Sequence, residues 1–300
     1  MVRLNPKLIH SLHPRFLREF WESGNFRPNF DDSLFVVIRA YIDESYAEPR
    51  TFALGCALAR GMDWFEISSK WKKVIDRKNR ELKAAGRSLL TRYHSVECNN
   101  MREEYEGWTP AERDPFITEL VSILRKSSDK LHIIGNTVDL RDIAENFPVR
   151  SRQSNYNKQV AYGALSVLLW KGIAEQAKHI YRDPEIAVVY ERGPFNGIIT
   201  ESYNALLDSN FPERDLYTRG LKQENSALIP LQIADLIAYE TMKETDRHET
   251  GRDRRRSLSA LLEMIPGKGI HVPALALQRI AAGYWGKVLP EMLERAGEYS

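Results

Sequence analysis

Between residues 34 and 45 the chain is apolar almost without a break, LFVVIRAYIDES, and most of these residues are β-branched or aromatic. A run of that kind predicts a strand buried on both faces, as in the centre of a mixed sheet. A short turn follows, and residues 51–59, TFALGCALA, predict a second strand, so the two are expected to form a hairpin. Residues 63–85 carry an amphipathic, charged helical pattern that stops at Gly86. Further along, the pattern predicts a short strand over residues 89–97, LLTRYHSVE, and a helix beginning near Pro110. Another strand is expected over residues 131–140, LHIIGNTVDL, and the longest helix of the chain over residues 155–181. Residues 185–193, EIAVVYERG, read as a strand and Phe195 to Asp208 as a helix. A strand near residues 215–222, DLYTRGLK, precedes an apolar helix over residues 229–244, IPLQIADLIAYETMKE.

Strands that alternate with helices imply an α/β sheet covered on its faces, and the opening hairpin makes that sheet mixed. The first 33 residues read as an N-terminal extension with a short helix within residues 14–23. The central unit spans residues 34–245. Residues 246–300 read as a basic linker followed by C-terminal helices, because residues 245–257, TDRHETGRDRRRS, break the apolar pattern. No repeat or low-complexity tract interrupts this order.

Composition narrows the class. The 300 residues are 43% hydrophobic and 28% charged, enough to build a core without disulfide staples. The two cysteines, Cys56 and Cys98, suit a reducing compartment better than a disulfide framework. No apolar run approaches the roughly eighteen residues of a membrane span. The basic first residues lack the apolar core of a secretory leader, which is the reading of a mature cytoplasmic start. A net charge of +2 gives no overall electrostatic drive toward nucleic acid, so any basic surface has to come from local clusters.

The candidate chemistry lies in the acids. Asp43 ends the first strand, where ligands of open α/β sheets gather, although an Asp there also suits a turn. Its neighbour Glu44 points to the opposite face of an extended chain and is the weaker candidate. Asp235 sits in LQIADLIAY, a helix with little polar surface, and a buried carboxylate needs a cation, an Arg or hydrogen-bond donors. Gln232 and Tyr239 share its face and are placed to orient it, while the alternative is an acid favoured by the helix dipole. Glu191 ends the fourth long strand, where it competes with a plain ion pair to Arg192. Glu97 follows His94 in YHSVE, a carboxylate and an imidazole suited to ligation and proton transfer.

Acids without matching His or Cys ligands favour a hard, oxygen-preferring ion, Mg²⁺ or Mn²⁺. Two such ions about 3.5–4 Å apart serve phosphodiester cleavage. A phosphate-bearing substrate also needs cations, for which Arg150, Arg152, Lys158 and Lys222 are the candidates, with the run Arg252, Arg254, Arg255 and Arg256 behind them. Phosphate-loop, dinucleotide, zinc-protease, CxxC and nucleophile-elbow motifs are all absent from the sequence.

YIDES and LQIADLIAYE together resemble the hallmarks of the family called domain of unknown function 3800 (DUF3800), bacterial and phage proteins regarded as RNase H-like. Asp43-Glu44-Ser45 matches its first motif, Gln232-Ile233-Ala234-Asp235 its late helix motif, and His94 with Glu97 its looser middle motif. The resemblance covers roughly residues 36–245. It implies an RNase H-like mixed sheet flanked by helices, with Asp43 and Asp235 at the ends of a metal-binding constellation. Glu97 and Glu191 would lie between them, and Asp139 competes as the third acid.

Three functions follow as expectations. The first is a divalent-metal-dependent nuclease acting on DNA or RNA, with Asp43, Glu191 and Asp235 on the metal and Glu97 completing the catalytic set. The second is a non-catalytic RNase H-like module that binds nucleic acid or a protein partner. A carboxylate-pair hydrolase acting on sugars is a third.

Overall fold

The structure is a computed structural model, and it describes residues 37–47, 50–147, 155–251 and 269–272. Strand β1 (Val37–Ala47) turns back into β2 (Thr51–Arg60), and the two pair antiparallel with Asp43 opposite Gly55. Helix α1 (Gly61–Ala84) follows and closes before Gly86, whose φ of +67° is the left-handed conformation that glycine adopts at low cost. Helix α2 (Ser95–Asn100) and α3 (Pro110–Arg125) come next, the latter started by a Thr109–Glu112 capping box. Strand β3 (His132–Asp139), the short α4 (Leu140–Asn146) and the 25-residue α5 (Tyr156–Ile180) lead to β4 (Glu185–Glu191). Helix α6 (Asn196–Asp208), β5 (Leu221–Glu224), α7 (Ile229–Thr250) and β6 (Gly269–Val272) complete the described elements.

The fold is α/β, a mixed sheet flanked by helices. Six strands lie in the order β5-β4-β1-β2-β3-β6. The meander β1-β2-β3 is antiparallel, and β4, β5 and β6 join in parallel. Strand β1 is therefore central, as its continuous apolar run requires.

Strands β1 to β4 divide their residues between two cores. Even-numbered β1 and β2 residues (Ile38, Ala40, Ile42, Phe52, Leu54, Cys56, Leu58) pack against α5 and α6. On the other face Tyr41, Ala57 and Ala59 pack with α1, α3 and α7, whose Trp64 and Trp71 are fully buried. Cys56 and Cys98 are both buried thiols, one in each core, and no disulfide joins them.

Several expectations change. Residues 89–94 are not a strand, and residues 95–100 are helical. Side chains, not a neighbouring strand, satisfy this backbone: Asn79 bonds both the N–H and the C=O of Leu90, and Glu104 accepts from Thr91 N. The fifth strand lies at the end of the region expected for it, after a 3-10 turn (Arg214–Leu216) and a turn at Gly220. Helix α7 continues through residues 246–250, where a linker was expected, and stops at Gly251 with φ of +66°. Residues 269–272, expected outside the sheet, supply β6 alongside β3. The helices expected within residues 14–23 and 257–265 lie outside the described residues.

Candidate functional site

Asp43, Gly55 and Gly135 form one row across β1, β2 and β3. A Cβ on Gly55 would lie 2.3 Å from Ala238 N and 2.6 Å from Ala234 O, both backbone atoms of α7. A Cβ on Gly135 would lie 2.3 Å from Thr241 Oγ1. Only strands bare of side chains at these two points let the α7 backbone rest directly on the sheet. The residue after Ala234 is Asp235, so this close seat brings its carboxylate within electrostatic reach of Asp43. Ser45, two residues beyond Asp43 on the same face, touches Met242 of α7 at 3.6 Å.

The two acids are 7% and 4% exposed. Burial is the main cause that pushes the Asp43 carboxyl well above its ordinary range, and the charges of Glu44, Asp235 and Glu191 add to it. The Glu44 N–H, 2.9 Å from Asp43 Oδ1, works against the rise. Asp235 is also raised by burial, and here His94, the Ser95 N–H and hydroxyl, and Arg92 oppose the shift. The Ser95 N–H donates to Asp235 Oδ2 at 2.6 Å, so the buried carboxylate caps the first turn of α2. Asp235 forms no ion pair with an Arg among the described residues.

Glu191 ends β4 as expected. Burial raises its carboxyl and so does Asp235, while Arg92, His94 and the Ser226 hydroxyl pull it down. Glu44 corrects the sequence reading. Although its Cβ points to the α5 face, its carboxylate lies near Gly193, where a Cβ would stand 3.4 Å from Glu44 Oε1. Burial and then Glu191 push its carboxyl up to about 8, with Asp235 contributing. Alternation along a strand missed this residue because it places the Cβ and not the carboxylate of a long side chain.

The segment between α1 and α2 supplies the rest. Gln232 was expected to orient Asp235, but its Oε1 accepts from Trp71 Nε1 (3.1 Å) and Tyr93 N (3.0 Å), and its Nε2 donates to Ala227 O. It therefore pins residues 92–95 beside the acids. Tyr239, the other expected partner, packs with Ala53 and Met242. From the pinned segment Arg92 reaches Glu97 at 3.5 Å and Glu191 at 3.6 Å. His94 Nδ1 lies 2.9 Å from Glu97 Oε1, an ion-pair distance without the angle of a hydrogen bond. Glu97 sits on a helix rather than at a strand end, and Arg92 links it to the group. Nothing in the sequence around Arg92 marks it, since it stands in an irregular segment.

Asp139 does not join this site. It lies four residues beyond Gly135 on β3, caps α4 through Arg141 N and holds the Arg141 guanidinium. Lys222 is on the edge strand β5, 2.9 Å from Glu224. Lys158 stands over the exposed Tyr46 ring, 4.4 Å from its centroid. Arg150, Arg152 and the run Arg252, Arg254, Arg255 and Arg256 lie outside the described residues.

The grouped donors are carboxylate oxygens, the set a hard divalent ion prefers. Burial is the first cause of every upward shift in the group, and repulsion between the acids adds to it at Asp43, Glu44 and Glu191. Among the described residues, however, no three His, Cys, Asp or Glu side chains close into a ready metal cage. The acids stand within electrostatic reach of one another rather than around one point. No helix among the described residues is long and apolar enough to cross a membrane. No protein-family model matches the chain, and no curated protein matches it.

Proposed function

We propose that the chain is an RNase H-like, divalent-metal-dependent nuclease that hydrolyses phosphodiester bonds of DNA or RNA. The observation that carries this reading is the pair of buried acids, Asp43 and Asp235, seated together by the glycine contact between β2 and α7. Two adjacent buried carboxylates repel each other and lack full hydration, a cost that a bound cation removes. The RNase H-like part, and with it kinship to the DUF3800 family, is supported by the hairpin-opened mixed sheet. It is also supported by an acid on the first strand and another on the helix after β5, with Glu191 between.

In this reading Asp43, Asp235 and Glu191 hold Mg²⁺ or Mn²⁺, and Glu44 lies within reach to add a further carboxylate. A divalent ion bound there supplies Lewis-acid activation and neutralises charge at the leaving oxygen. Glu97 and His94, in contact with each other, form a pair able to accept and pass on a proton at the edge of the group. The Ser95 N–H fixes the Asp235 carboxylate through Oδ2.

A second reading is favoured by one observation. Arg92 already offsets part of the charge on Glu97 and Glu191, as in a non-catalytic module of the same fold that binds nucleic acid or a protein partner. The test is cleavage of single- and double-stranded DNA and RNA by the full chain in Mg²⁺ or Mn²⁺, with EDTA as control. Asp43→Asn and Asp235→Asn are each expected to lower the metal-dependent rate by about a hundredfold or more. Equal residual rates in wild type and both variants would assign the cleavage to a contaminant and sink the nuclease reading. Metal binding without cleavage by wild type would favour the non-catalytic module.

A further inference from the structure

Arg92 belongs to no element, yet its backbone is fixed on both sides. The Tyr105 hydroxyl donates to Arg92 O at 3.1 Å, Tyr93 N donates to Gln232 Oε1 at 3.0 Å, and Thr91 N donates to Glu104 Oε2 at 2.8 Å. The side chain that this frame delivers is held far more loosely. Its two ion contacts, to Glu97 at 3.5 Å and Glu191 at 3.6 Å, are both longer than a hydrogen bond. Its side chain is 27% exposed, so the guanidinium stands at the mouth of the acidic group rather than inside it. A guanidinium carries five N–H donors in a planar fork that fits two phosphate oxygens at once. A group whose only role was to tie Glu97 to Glu191 would gain by closing to bidentate contact with one of them.

We propose that Arg92 is the substrate-phosphate contact of this site. It is parked between Glu97 and Glu191 in the free protein and turns to a phosphodiester once Glu191 is engaged by a divalent cation. This inference rests on the metal-site reading above and adds an order of events to it. Cation and guanidinium compete for Glu191, and committing that carboxylate to a cation leaves the Arg92 fork facing the mouth of the site. Binding of the nucleic-acid backbone therefore depends on the cation twice, through its own charge and through release of Arg92. Because the contact is to phosphate, it acts alike on DNA and RNA.

The test measures binding, apart from turnover. Mn²⁺ is titrated calorimetrically into the full chain, and fluorescent oligothymidylate and oligouridylate are titrated by anisotropy in Ca²⁺ and in EDTA. Arg92→Gln is expected to bind Mn²⁺ about tenfold more tightly and both oligonucleotides about tenfold more weakly in Ca²⁺. Arg92→Lys, which keeps the charge but loses the fork, should fall between the two proteins. Unchanged affinities in Arg92→Gln, with a native melting profile, would overturn the inference and leave Arg92 as an ordinary tie. A gain in Mn²⁺ affinity with full oligonucleotide affinity retained would overturn the phosphate contact. Loss of cooperative melting in both variants would also overturn it, by making Arg92 structural. Absence of Mn²⁺ binding in wild type and variants alike would instead remove the metal reading on which the inference stands.

Discussion

The two faces of the sheet solve the same packing problem in opposite ways. Toward α5 and α6, β2 presents Phe52, Leu54, Cys56 and Leu58, and the helices stand off on large side chains. Toward α7 the same strand presents Ala53, Gly55, Ala57 and Ala59, and the helix backbone comes down onto the strand itself. The first face is filled with apolar volume. The second gives up volume for proximity, and that proximity carries Asp235 to Asp43. A helix held off by leucines at the usual spacing of packed layers would leave the two carboxylates several ångströms further apart. The site thus depends less on which acids the chain contains than on which residues it leaves out around them.

Opposite substitutions at adjacent positions give the sharpest way to break this comparison. Gly55→Val forces side-chain atoms into the α7 backbone, with an expected loss of more than about 3 kcal/mol in urea unfolding and loss of any metal response. Leu54→Ala, one residue away on the other face, leaves a cavity and should cost about 2–5 kcal/mol. Its effect on metal affinity should be small. If Gly55→Ala melts like wild type and keeps its metal response, the close seat of α7 is not what builds the site.

Gln232→Ala comes next in size. It leaves the buried Trp71 Nε1 and Tyr93 N without their acceptor and frees the segment bearing Arg92 and His94. A loss of about 1–3 kcal/mol is expected. Faster hydrogen exchange should appear at residues 91–95, and unchanged exchange there would contradict the pinning role.

The smallest effect separates the faces by charge. Asp43, Glu44, Glu191 and Asp235 all bind protons more tightly in the folded protein, Glu44 at about 8 against an ordinary 4.5. Between those values the folded state holds more protons than the unfolded chain, so its stability falls as pH rises. The metal-free protein is therefore expected to be most stable toward pH 4.5 and to lose stability up to about pH 8. Asp43→Asn mimics the neutral acid and should stabilise the metal-free protein above the ordinary carboxylate range, a gain that shrinks as pH falls. Saturating Mn²⁺ should reverse that order at pH 8, because wild type gains stability by mass action and the variant does not. A flat pH profile, checked by thermal melts, would mean that the acids are already neutralised.

Much of the fold could be read along the chain. The apolar run of β1, the hairpin, α1 with its Gly86 stop, the capping box of α3, and the long α5 all follow from local periodicity and end signals. The segment at residues 89–97 reads as a short strand, yet it pairs with no strand among the described residues. Asn79, Glu104 and Gln232, all remote in sequence, take over its backbone hydrogen bonds. The start of a linker at residue 246 misled in the same sense, since charged residues on a helix that projects past the sheet look like a loop.

For the site, the sequence by itself determined that Asp43 lies on a buried strand, that Glu191 ends one and that Asp235 lies in an apolar helix; the strand end expected at Asp43 falls instead at Ala47. These are properties of single segments, set by hydrophobic pattern. Only the tertiary structure decided which acids meet. Two glycines on different strands had to line up before α7 could bring Asp235 to Asp43, and the Glu44 carboxylate had to come within electrostatic reach of Glu191. Asp139, no less acidic than these and also at a strand end, was drawn instead to Arg141. Electrostatic coupling falls off with distance in space, and distance in space is what a linear pattern does not contain.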